Sequence, residues 1–277
     1  MKDIRLLLSF IEEDAPFGDI TSEAIIGGES CHAVISAKEG GVISGLEEAE
    51  DLFRYFGLKT SRHMNDGDTI VSGMVVLTID GAAKGILLVE RTALNILGRM
   101  SGIATRTRHM VNLVEECGCR CRIAATRKTA PGLRKLDKKA VETGGGDPHR
   151  LSLSDGILIK DNHLALVPLE TAIARAKACS LYRKIEVEVQ STDAAVRAAQ
   201  AGADILLFDN MPVEMVQASL RNLDDKGLRE KVLVELSGGI TEKNLREYLT
   251  CDVDLISTGV LTHSVMNFDF SLDIVEK

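Results

Sequence analysis

From about residue 120 onward, short β-rich runs alternate with amphipathic helical stretches, and this alternation constrains the fold more than any other feature of the sequence. Strands are predicted at residues 121–126, 156–160, 185–189, 204–208, 232–236 and 254–257, with helices at 132–142, 166–179, 192–202 and 212–223. Repeated strands and helices at this spacing form parallel sheets with right-handed crossovers. The region is therefore predicted to be an α/β barrel, closed or nearly closed, with an open doubly wound sheet as the alternative.

The earlier part of the chain follows a different pattern. Helices are predicted at 3–13 and 46–56, and strands at 31–38 and 74–80. A long, mostly apolar helical pattern then begins after Gly85. Arg91, Asn95 and Arg99 are spaced four residues apart on it, which gives this helix one polar stripe.

Length and composition fit a two-part α/β chain. With 277 residues, 45% of them hydrophobic, the chain exceeds the usual length of one average domain. Aromatic residues make up only 4%, so the core must consist of aliphatic side chains, as in sheets covered by helices. We predict one domain at residues 1–104 and a barrel at 105–264, with residues 265–277 packing back on the first domain.

The net charge of −8 disfavours nucleic acid as a partner, because the chain repels phosphate backbones. No apolar run approaches the roughly 18 residues of a membrane span. The short stretch Leu6–Leu8 is followed by acidic residues instead of a small-residue cleavage site. Six cysteines do not make a disulfide scaffold at this length, so reduced thiols are expected. The predicted location is the cytoplasm, and the predicted partner is a small molecule.

Cys117, Cys119 and Cys121 form a C-x-C-x-C run that admits two hypotheses. Strand alternation would point all three side chains the same way, which would suit a soft metal ion. The paired C-x-x-C spacing of structural zinc sites is missing, however, and a helix is predicted to end nearby. A structural role is the favoured interpretation.

Positive charge is concentrated in residues 120–163, whose net charge is +5 against −13 for the rest of the chain. Such a reversal in an acidic chain suggests an anionic ligand. Lys135, Lys138 and Lys139 are interpreted as the exposed face of the helix at 132–142.

Other basic residues of this stretch lie at strand ends or in loops: Arg127, Lys128, Arg150 and Lys160. In a parallel barrel the loops that follow the strands build the active site, so Arg127, Lys128 and Lys160 are expected on one face. Gly144-Gly145-Gly146, just before His149 and Arg150, allows the backbone to approach a ligand closely.

The strand at 185–189 alternates, so its apolar side chains face one side and Glu186 and Glu188 the other. With the apolar side packed against helices, both carboxylates would lie inside the barrel, where they need cationic or hydroxyl-rich partners. Glu188, nearer the C-terminal end, is the better ligand candidate, and a structural salt bridge is an equal alternative for Glu186. Asp209 ends the next strand in the same manner.

Two late loops are candidates for phosphate binding, Ser237–Ile240 and Thr258–His263. Barrels often bind phosphate with the loops after their last strands, where glycine amides and a helix N-terminus offer donors. An ordinary turn is the alternative for Ser-Gly-Gly. His149, His163 and His263 are possible acids or bases. The sequence contains no nucleophile elbow, Walker loop or Rossmann fingerprint.

A series of motifs spans nearly the whole chain: Gly18–Ser22, Glu90–Asn95, Ser101–Thr105, Thr126–Arg134, Gly144–Gly146 with His149-Arg150, Leu158–His163, Glu186–Glu188, Asp209–Met211 and Ser237–Ile240. In this order they resemble the quinolinate phosphoribosyltransferase family. One departure is Asp147-Pro148, where less restrictive residues are expected and the shape of the site loop could change.

The resemblance implies a small N-terminal α/β sandwich domain beside an incomplete α/β barrel. It also implies a homodimer with active sites shared between subunits, alone or within a larger oligomer. The implied reaction transfers phosphoribosyl from phosphoribosyl pyrophosphate to quinolinate with decarboxylation, which gives nicotinate mononucleotide for NAD biosynthesis. Mg²⁺ would accompany the donor's pyrophosphate.

The resemblance also assigns residue roles. Arg91 of one subunit would reach the quinolinate carboxylates held by the other, where the partners would be Arg127, His149, Arg150 and Lys160. Lys128 would serve the same pocket near the donor. Glu188 and Asp209 would hold ribose hydroxyls and metal. The phosphate loops would be formed by Ser237, Gly238, Gly239, Gly259 and His263. The expected catalytic residues are Lys128, Lys160, Glu188 and Asp209.

Three alternative functions are distinguished from quinolinate phosphoribosyl transfer by specific residues. A molybdenum-transport-associated homologue is similar through Thr126–Thr129 and the three glycines but lacks the Lys160–His163 motif. Nicotinate phosphoribosyltransferase needs only one carboxylate pocket, so several converging arginines would be excessive. A non-enzymatic ligand-binding module would be expected to lose Lys160, Glu188 or Asp209, all of which are present.

Overall fold

The computed structural model describes residues 4–275, and the chain divides into two compact units. Unit 1 comprises the chain up to Arg108, Glu142–Gly144 and the chain from Val265 onward, and unit 2 comprises His109–Val141 and Gly145–Ser264. Predictions that involve residues 1–3 and 276–277 lie outside the described part of the chain. Between residues 4 and 275, no helix is long and apolar enough to cross a membrane.

Unit 1 is built on an antiparallel sheet. Its strands are Ser30–Ala37 (β1), Gly41–Val42 (β2), Lys59–Arg62 (β3), Thr69–Ile70 (β4), Val75–Ala82 (β5) and, from the end of the chain, Phe270–Val275 (β12). Its helices are Ile4–Asp14 (α1), Ile20–Ile25 (α2), Leu46–Tyr55 (α3) and the larger part of Ala83–Glu116 (α4). The main sheet has the order β12-β1-β5-β3, and β2 pairs separately with β4.

Alternating apolar side chains form the core of unit 1. Ile35 of β1 and Ile79 of β5 are fully buried, as is Phe53 of α3. The strands predicted at 31–38 and 74–80 and the helix at 46–56 are confirmed, with ends that differ by one or two residues.

Helix α4 continues for 34 residues and is crossed closely by the chain that leads into β12. The amide of Phe268 donates a hydrogen bond to the carbonyl oxygen of Gly98 at 2.8 Å. A Cβ atom at Gly98 would lie 2.7 Å from the carbonyl oxygen of Phe268, so glycine is required for this approach. β12 then pairs antiparallel with β1.

Unit 2 is built on a parallel sheet covered by helices. Its strands are Arg122–Ala125 (β6), Ile157–Ile159 (β7), Ile185–Val189 (β8), Ile205–Asp209 (β9), Leu233–Ser237 (β10) and Leu255–Thr258 (β11). The helices are Arg134–Thr143 (α5), Asp161–Leu164 (α6), Leu169–Cys179 (α7), Thr192–Ala201 (α8), Val213–Asp225 (α9), Leu245–Tyr248 (α10) and Val260–His263 (α11), with a 3₁₀ turn at Arg229–Lys231. All six predicted strands are present.

The strand order of unit 2 is β6-β11-β10-β9-β8-β7. Consecutive strands are neighbours from β7 to β11, and the first strand returns to pair with the last, as in a barrel. A doubly wound sheet would need a reversal of this order, so that alternative is wrong. Within the described residues β6 and β7 share no ladder, and the free edge of β6 is met only by a single bridge between Ala124 and Asp147. The predicted incomplete barrel is confirmed.

The cysteine run lies in the turn between α4 and β6. Because β6 begins only at Arg122, strand alternation does not apply, and the prediction that the three side chains point the same way is wrong. Cys117 is exposed, whereas Cys121 is buried. Burial, together with the nearby Cys119, raises the pKa of Cys121 to about 11, so this thiol stays protonated at neutral pH.

Candidate active site

A cavity of about 320 Å³ lies at the C-terminal ends of the unit 2 strands. All six strands contribute to it, because parallel strands present their carboxyl ends at one edge. The lining residues are Ala125, Thr126, Arg127, Lys128, His149, Arg150, Leu158, Lys160, Glu186, Leu207, Asp209, Glu235, Ser237 and Ser257. The cavity therefore combines a large set of cations with buried carboxylates.

The structure brings many of the predicted site residues together. The cavity is lined by Arg127, Lys128, His149, Arg150, Lys160, Asp209 and Ser237. Gly238, Gly239 and Gly259 lie in the adjoining loops and His263 ends α11; none of the four is part of the lining. Arg91 lies in unit 1, where it is exposed on α4.

Lys160 and Glu188 form an ion pair at the edge of the cavity. The Lys160 ammonium lies 2.5 Å from Glu188 Oε2, and the side-chain exposures are 44% for the lysine and 6% for the glutamate. A buried carboxylate of this kind depends on its cation, because it would otherwise lack compensation for lost hydration. Glu188 is thus held by Lys160, whereas Glu186, the weaker ligand candidate from the sequence, lines the cavity directly.

In the cavity wall, His149 meets two buried glutamates, Glu235 and Glu186. His149 Nε2 lies 3.0 Å from Glu235 Oε2, and Glu235 is only 2% exposed. Burial disfavours the charged imidazole, but the hydrogen bond and charge of Glu235 outweigh this effect, so the pKa of His149 is raised. Burial and the charge of Glu235 raise the pKa of Glu186 to about 7.

Glu235 was not predicted from the sequence. The sequence nevertheless contains a signal for it, because Glu235 is a carboxylate that interrupts the apolar strand β10, just as Glu186 and Glu188 interrupt β8.

Arg127 follows β6 and points an incompletely paired guanidinium toward the cavity. Its Nε atom is buried and has no hydrogen-bond partner among the described residues. Burial and the nearby charges of Arg150 and Arg134 lower the pKa of Arg127, although a guanidinium keeps its proton. Arg127, Arg134 and Arg150 thus lie close enough to repel one another, an arrangement that an anionic ligand would relieve.

The interpretation of Lys138 as part of an exposed helix face is wrong. Lys138 is 3% exposed, and its ammonium donates hydrogen bonds to the carbonyl oxygens of Pro148 and of Ala125. Lys135 is exposed as predicted, and Lys139 is half-buried. The reason is that the buried face of α5 includes the charged residues Asp137 and Lys138 beside its few apolar ones, so hydrophobicity alone assigns Lys138 to the wrong face.

The buried Lys138 should make stability depend on pH above neutrality. Burial, with the charge of Arg134, lowers the pKa of Lys138 from 10.5 to about 8. Between these values the unfolded chain binds a proton that the folded chain has released, so the free energy of unfolding should rise with pH. We expect wild type to gain about 3 kcal/mol relative to Lys138→Met between pH 7.5 and 10.5, measured by urea denaturation. A constant difference between the two proteins would contradict this expectation.

The loop after β10 packs closely on the loop after β9, and the segment after β11 contacts the loop after β6. Gly238 has a φ of 96°, and a Cβ atom there would lie 2.7 Å from the backbone nitrogen of Asn210. Thr262 donates a hydrogen bond to the carbonyl oxygen of Lys128 at 2.8 Å. These contacts hold glycine amides and Lys128 near the same edge of the barrel, as phosphate binding requires.

The side chains of His149, Glu186 and Glu235 place potential metal-ligand atoms within 4.8 Å of one another. The surrounding charges disfavour a cation there, because Arg150, Lys160 and Lys138 all act on this cluster. Asp209, at the end of β9, offers the oxygen ligands that Mg²⁺ prefers. Glu188 shares this chemistry but is held by Lys160.

An incomplete parallel barrel with cations and carboxylates converging at its strand ends defines an α/β-barrel enzyme for anionic substrates. Sequence comparison specifies the class further. Residues 19–101 match the profile described as quinolinate phosphoribosyl transferase, N-terminal domain, and residues 103–273 match the corresponding C-terminal domain. The chain belongs to the quinolinate phosphoribosyltransferase family.

Individual relatives agree with this assignment. The chain is 47% identical to a probable nicotinate-nucleotide pyrophosphorylase [carboxylating] of Methanothermobacter thermautotrophicus, over 97% of this chain and 98% of that protein. It is 36% identical to the human nicotinate-nucleotide pyrophosphorylase [carboxylating], over 98% of this chain and 91% of that one. The crystal structure of nicotinate-nucleotide pyrophosphorylase from Ehrlichia chaffeensis superimposes with a TM-score of 0.93 at 32% identity, covering 99% of both chains.

Proposed function

We propose that this chain transfers phosphoribosyl from phosphoribosyl pyrophosphate to quinolinate and releases carbon dioxide, forming nicotinate mononucleotide for NAD biosynthesis. The observation that carries the proposal is the convergence of Arg127, Arg150 and Lys160 on one cavity. Quinolinate bears two neighbouring carboxylates, and guanidinium groups bind such groups bidentately. His149, with its raised pKa, would add a fourth donor.

Groups suited to the donor lie in the same cavity and beside it. Glu188 and Asp209 would hold ribose hydroxyls, and the loops after β10 and β11 would bind the 5′-phosphate through Ser237, Gly238, Gly239, Gly259 and His263. Asp209 is the residue best placed to hold Mg²⁺, with Glu188 as a second ligand where Lys160 releases it. When bound, Mg²⁺ would offset charge on the departing pyrophosphate.

Catalysis would then depend on orientation and electrostatics. The cations would hold quinolinate with its ring nitrogen toward the ribose C1, which lowers the barrier by positioning. Lys128 and Lys160 would offset negative charge as the bond to pyrophosphate breaks, and Glu188 and Asp209 would stabilise the oxocarbenium-like ribose. Loss of carbon dioxide leaves an electron pair on ring carbon 2, where the adjacent positively charged ring nitrogen stabilises it until a proton from water is added at that carbon. No covalent nucleophile is required.

The reaction predicts that carbon dioxide release from quinolinate requires both phosphoribosyl pyrophosphate and Mg²⁺. Release can be measured from quinolinate labelled in the carboxylate at ring position 2, with each component omitted in turn. Chelation of Mg²⁺ should abolish the reaction, and restoring Mg²⁺ should recover it. Product formation from nicotinate but not from quinolinate would instead favour nicotinate phosphoribosyltransferase.

We further propose a cytoplasmic homodimer in which Arg91 of each subunit completes the quinolinate pocket of the other. Arg91→Ala and Lys160→Ala should each be inactive alone. In mixed dimers one of the two sites would carry neither change, so an equimolar mixture should recover about a quarter of wild-type activity after subunit exchange. The control mixes each variant with itself. Stable mixed dimers that remain inactive would contradict the shared site.

A further inference from the structure

The residue that carries the imidazole of the cavity has an uncommon backbone. His149 has a φ of 55°, in the left-handed region that residues with a Cβ atom rarely adopt. Only Asn210 shares this property among the non-glycine residues of the described chain. A conformation of this kind persists where neighbouring groups hold it in place.

Asp147 holds the turn through both its side chain and its backbone. Its Oδ1 accepts a hydrogen bond from the His149 amide at 2.7 Å. The Asp147 amide donates to the carbonyl oxygen of Ile123 at 2.7 Å, and the Ala125 amide donates to the Asp147 carbonyl oxygen at 3.0 Å. The aspartate is therefore fixed to β6 while its carboxylate fixes the residue two positions further on.

Pro148 favours the backbone conformation that this turn requires. A proline restricts its own φ and favours an extended conformation in the residue before it, which agrees with the bridge between Asp147 and Ala124. The carbonyl oxygen of Pro148 accepts a hydrogen bond from the buried ammonium of Lys138. Each residue of the pair Asp147-Pro148 thus has a separate contact that stabilises the turn.

The turn determines where two cavity residues point. Beyond it, the ring of His149 reaches Glu235 at 3.0 Å, and Arg150 lines the cavity as the next residue along the chain. A change in the His149 backbone would therefore redirect two cationic side chains at once. Displacements of about 1 Å at a reacting group can lower rates by about 100-fold.

We propose that Asp147, Pro148 and Lys138 are positioning residues that fix the His149 backbone and so aim His149 and Arg150 at the carboxylates of the substrate. The inference rests on the proposed function, which assigns these two side chains to the quinolinate pocket. It gives the Asp147-Pro148 pair a role in the site.

The test is steady-state kinetics on Asp147→Ala, with Asp147→Asn as the conservative variant, because an asparagine oxygen can still accept the His149 amide. Asp147→Ala should raise KM for quinolinate about 10- to 100-fold and leave KM for phosphoribosyl pyrophosphate within about twofold. Asp147→Asn should stay within about threefold of wild type for both substrates. Arg122→Gln is the matched control, because Arg122 pairs with the other carboxylate oxygen of Asp147 at 3.1 Å and is 68% exposed.

Pro148→Ala provides a second measurement that keeps the carboxylate, and it decides the matter if Asp147→Ala does not fold. It should raise the same KM about threefold to tenfold. The proposal is overturned if both variants leave KM for quinolinate unchanged, if both substrates' KM values rise equally, or if Asp147→Asn behaves like Asp147→Ala. His149→Ala distinguishes a failure of the proposed function from a failure of the positioning role. If it leaves KM for quinolinate unchanged, the assignment of His149 fails; if only His149→Ala has an effect, the positioning role alone fails.

Discussion

Arg127→Ala should lower kcat/KM for quinolinate about 100- to 1,000-fold without lowering the free energy of unfolding. The guanidinium lies close to Arg150 and Arg134, and its Nε atom has no protein partner within the described residues. The substitution removes a group that binds the ligand, but it also relieves the repulsion from Arg150 and Arg134 in the ligand-free protein. Activity and urea denaturation, measured on the same preparation, would show both effects.

Arg221→Ala is the matched control, because it removes the same charged group from an exposed position on α9. It should change kcat/KM by less than about twofold, as expected for a surface substitution. If Arg127→Ala instead destabilised the protein by several kcal/mol, Arg127 would be a structural residue of the barrel and its assignment to the ligand would be incorrect.

Lys160→Ala should abolish activity and, in contrast, also destabilise the protein. The substitution leaves Glu188, which is 6% exposed, without its cation. Breaking a fully buried pair costs about 3–5 kcal/mol, but the lysine is 44% exposed and solvent screening reduces this value, so we expect about 1–2 kcal/mol. We expect kcat/KM to fall about 1,000-fold or more, because the lysine would also contact both substrates.

The double variant Lys160→Ala with Glu188→Gln separates the two effects. A neutral glutamine has no uncompensated charge, so stability should recover by about 1 kcal/mol or more while activity stays lost. Equal stability of the single and double variants would mean that the ion pair contributes little to folding.

The barrel was predictable because its signals are local. Each strand of unit 2 is a short apolar run, and amphipathic helices separate most of them, so order and type follow from the sequence. The bridge between Asp147 and Ala124 was not predictable, since it joins residues far apart in sequence through backbone atoms alone. The crossing of α4 by the chain before β12 is non-local in the same way.

The candidate site was predictable where charged residues lie at the C-terminal ends of strands or directly after them. Arg127, Lys160 and Asp209 end or follow strands, and they line one cavity. The burial of a lysine on a charged helix was not predictable, and for that reason the exposed position predicted for Lys138 is wrong. Glu235 could have been found, because it interrupts an apolar strand in the same way as Glu188.

Because the sheet is open between β6 and β7, closure of the barrel depends on the loop that is proposed to bind the substrate. The segment that bears His149 and Arg150 is also the only part of the described chain that bridges to the free edge of β6. Recognition of the ligand and closure of the sheet therefore share the same few backbone atoms. Ligand binding should therefore stabilise the bridge between Asp147 and Ala124. By linkage, loss of that bridge should weaken ligand binding by an equal free energy.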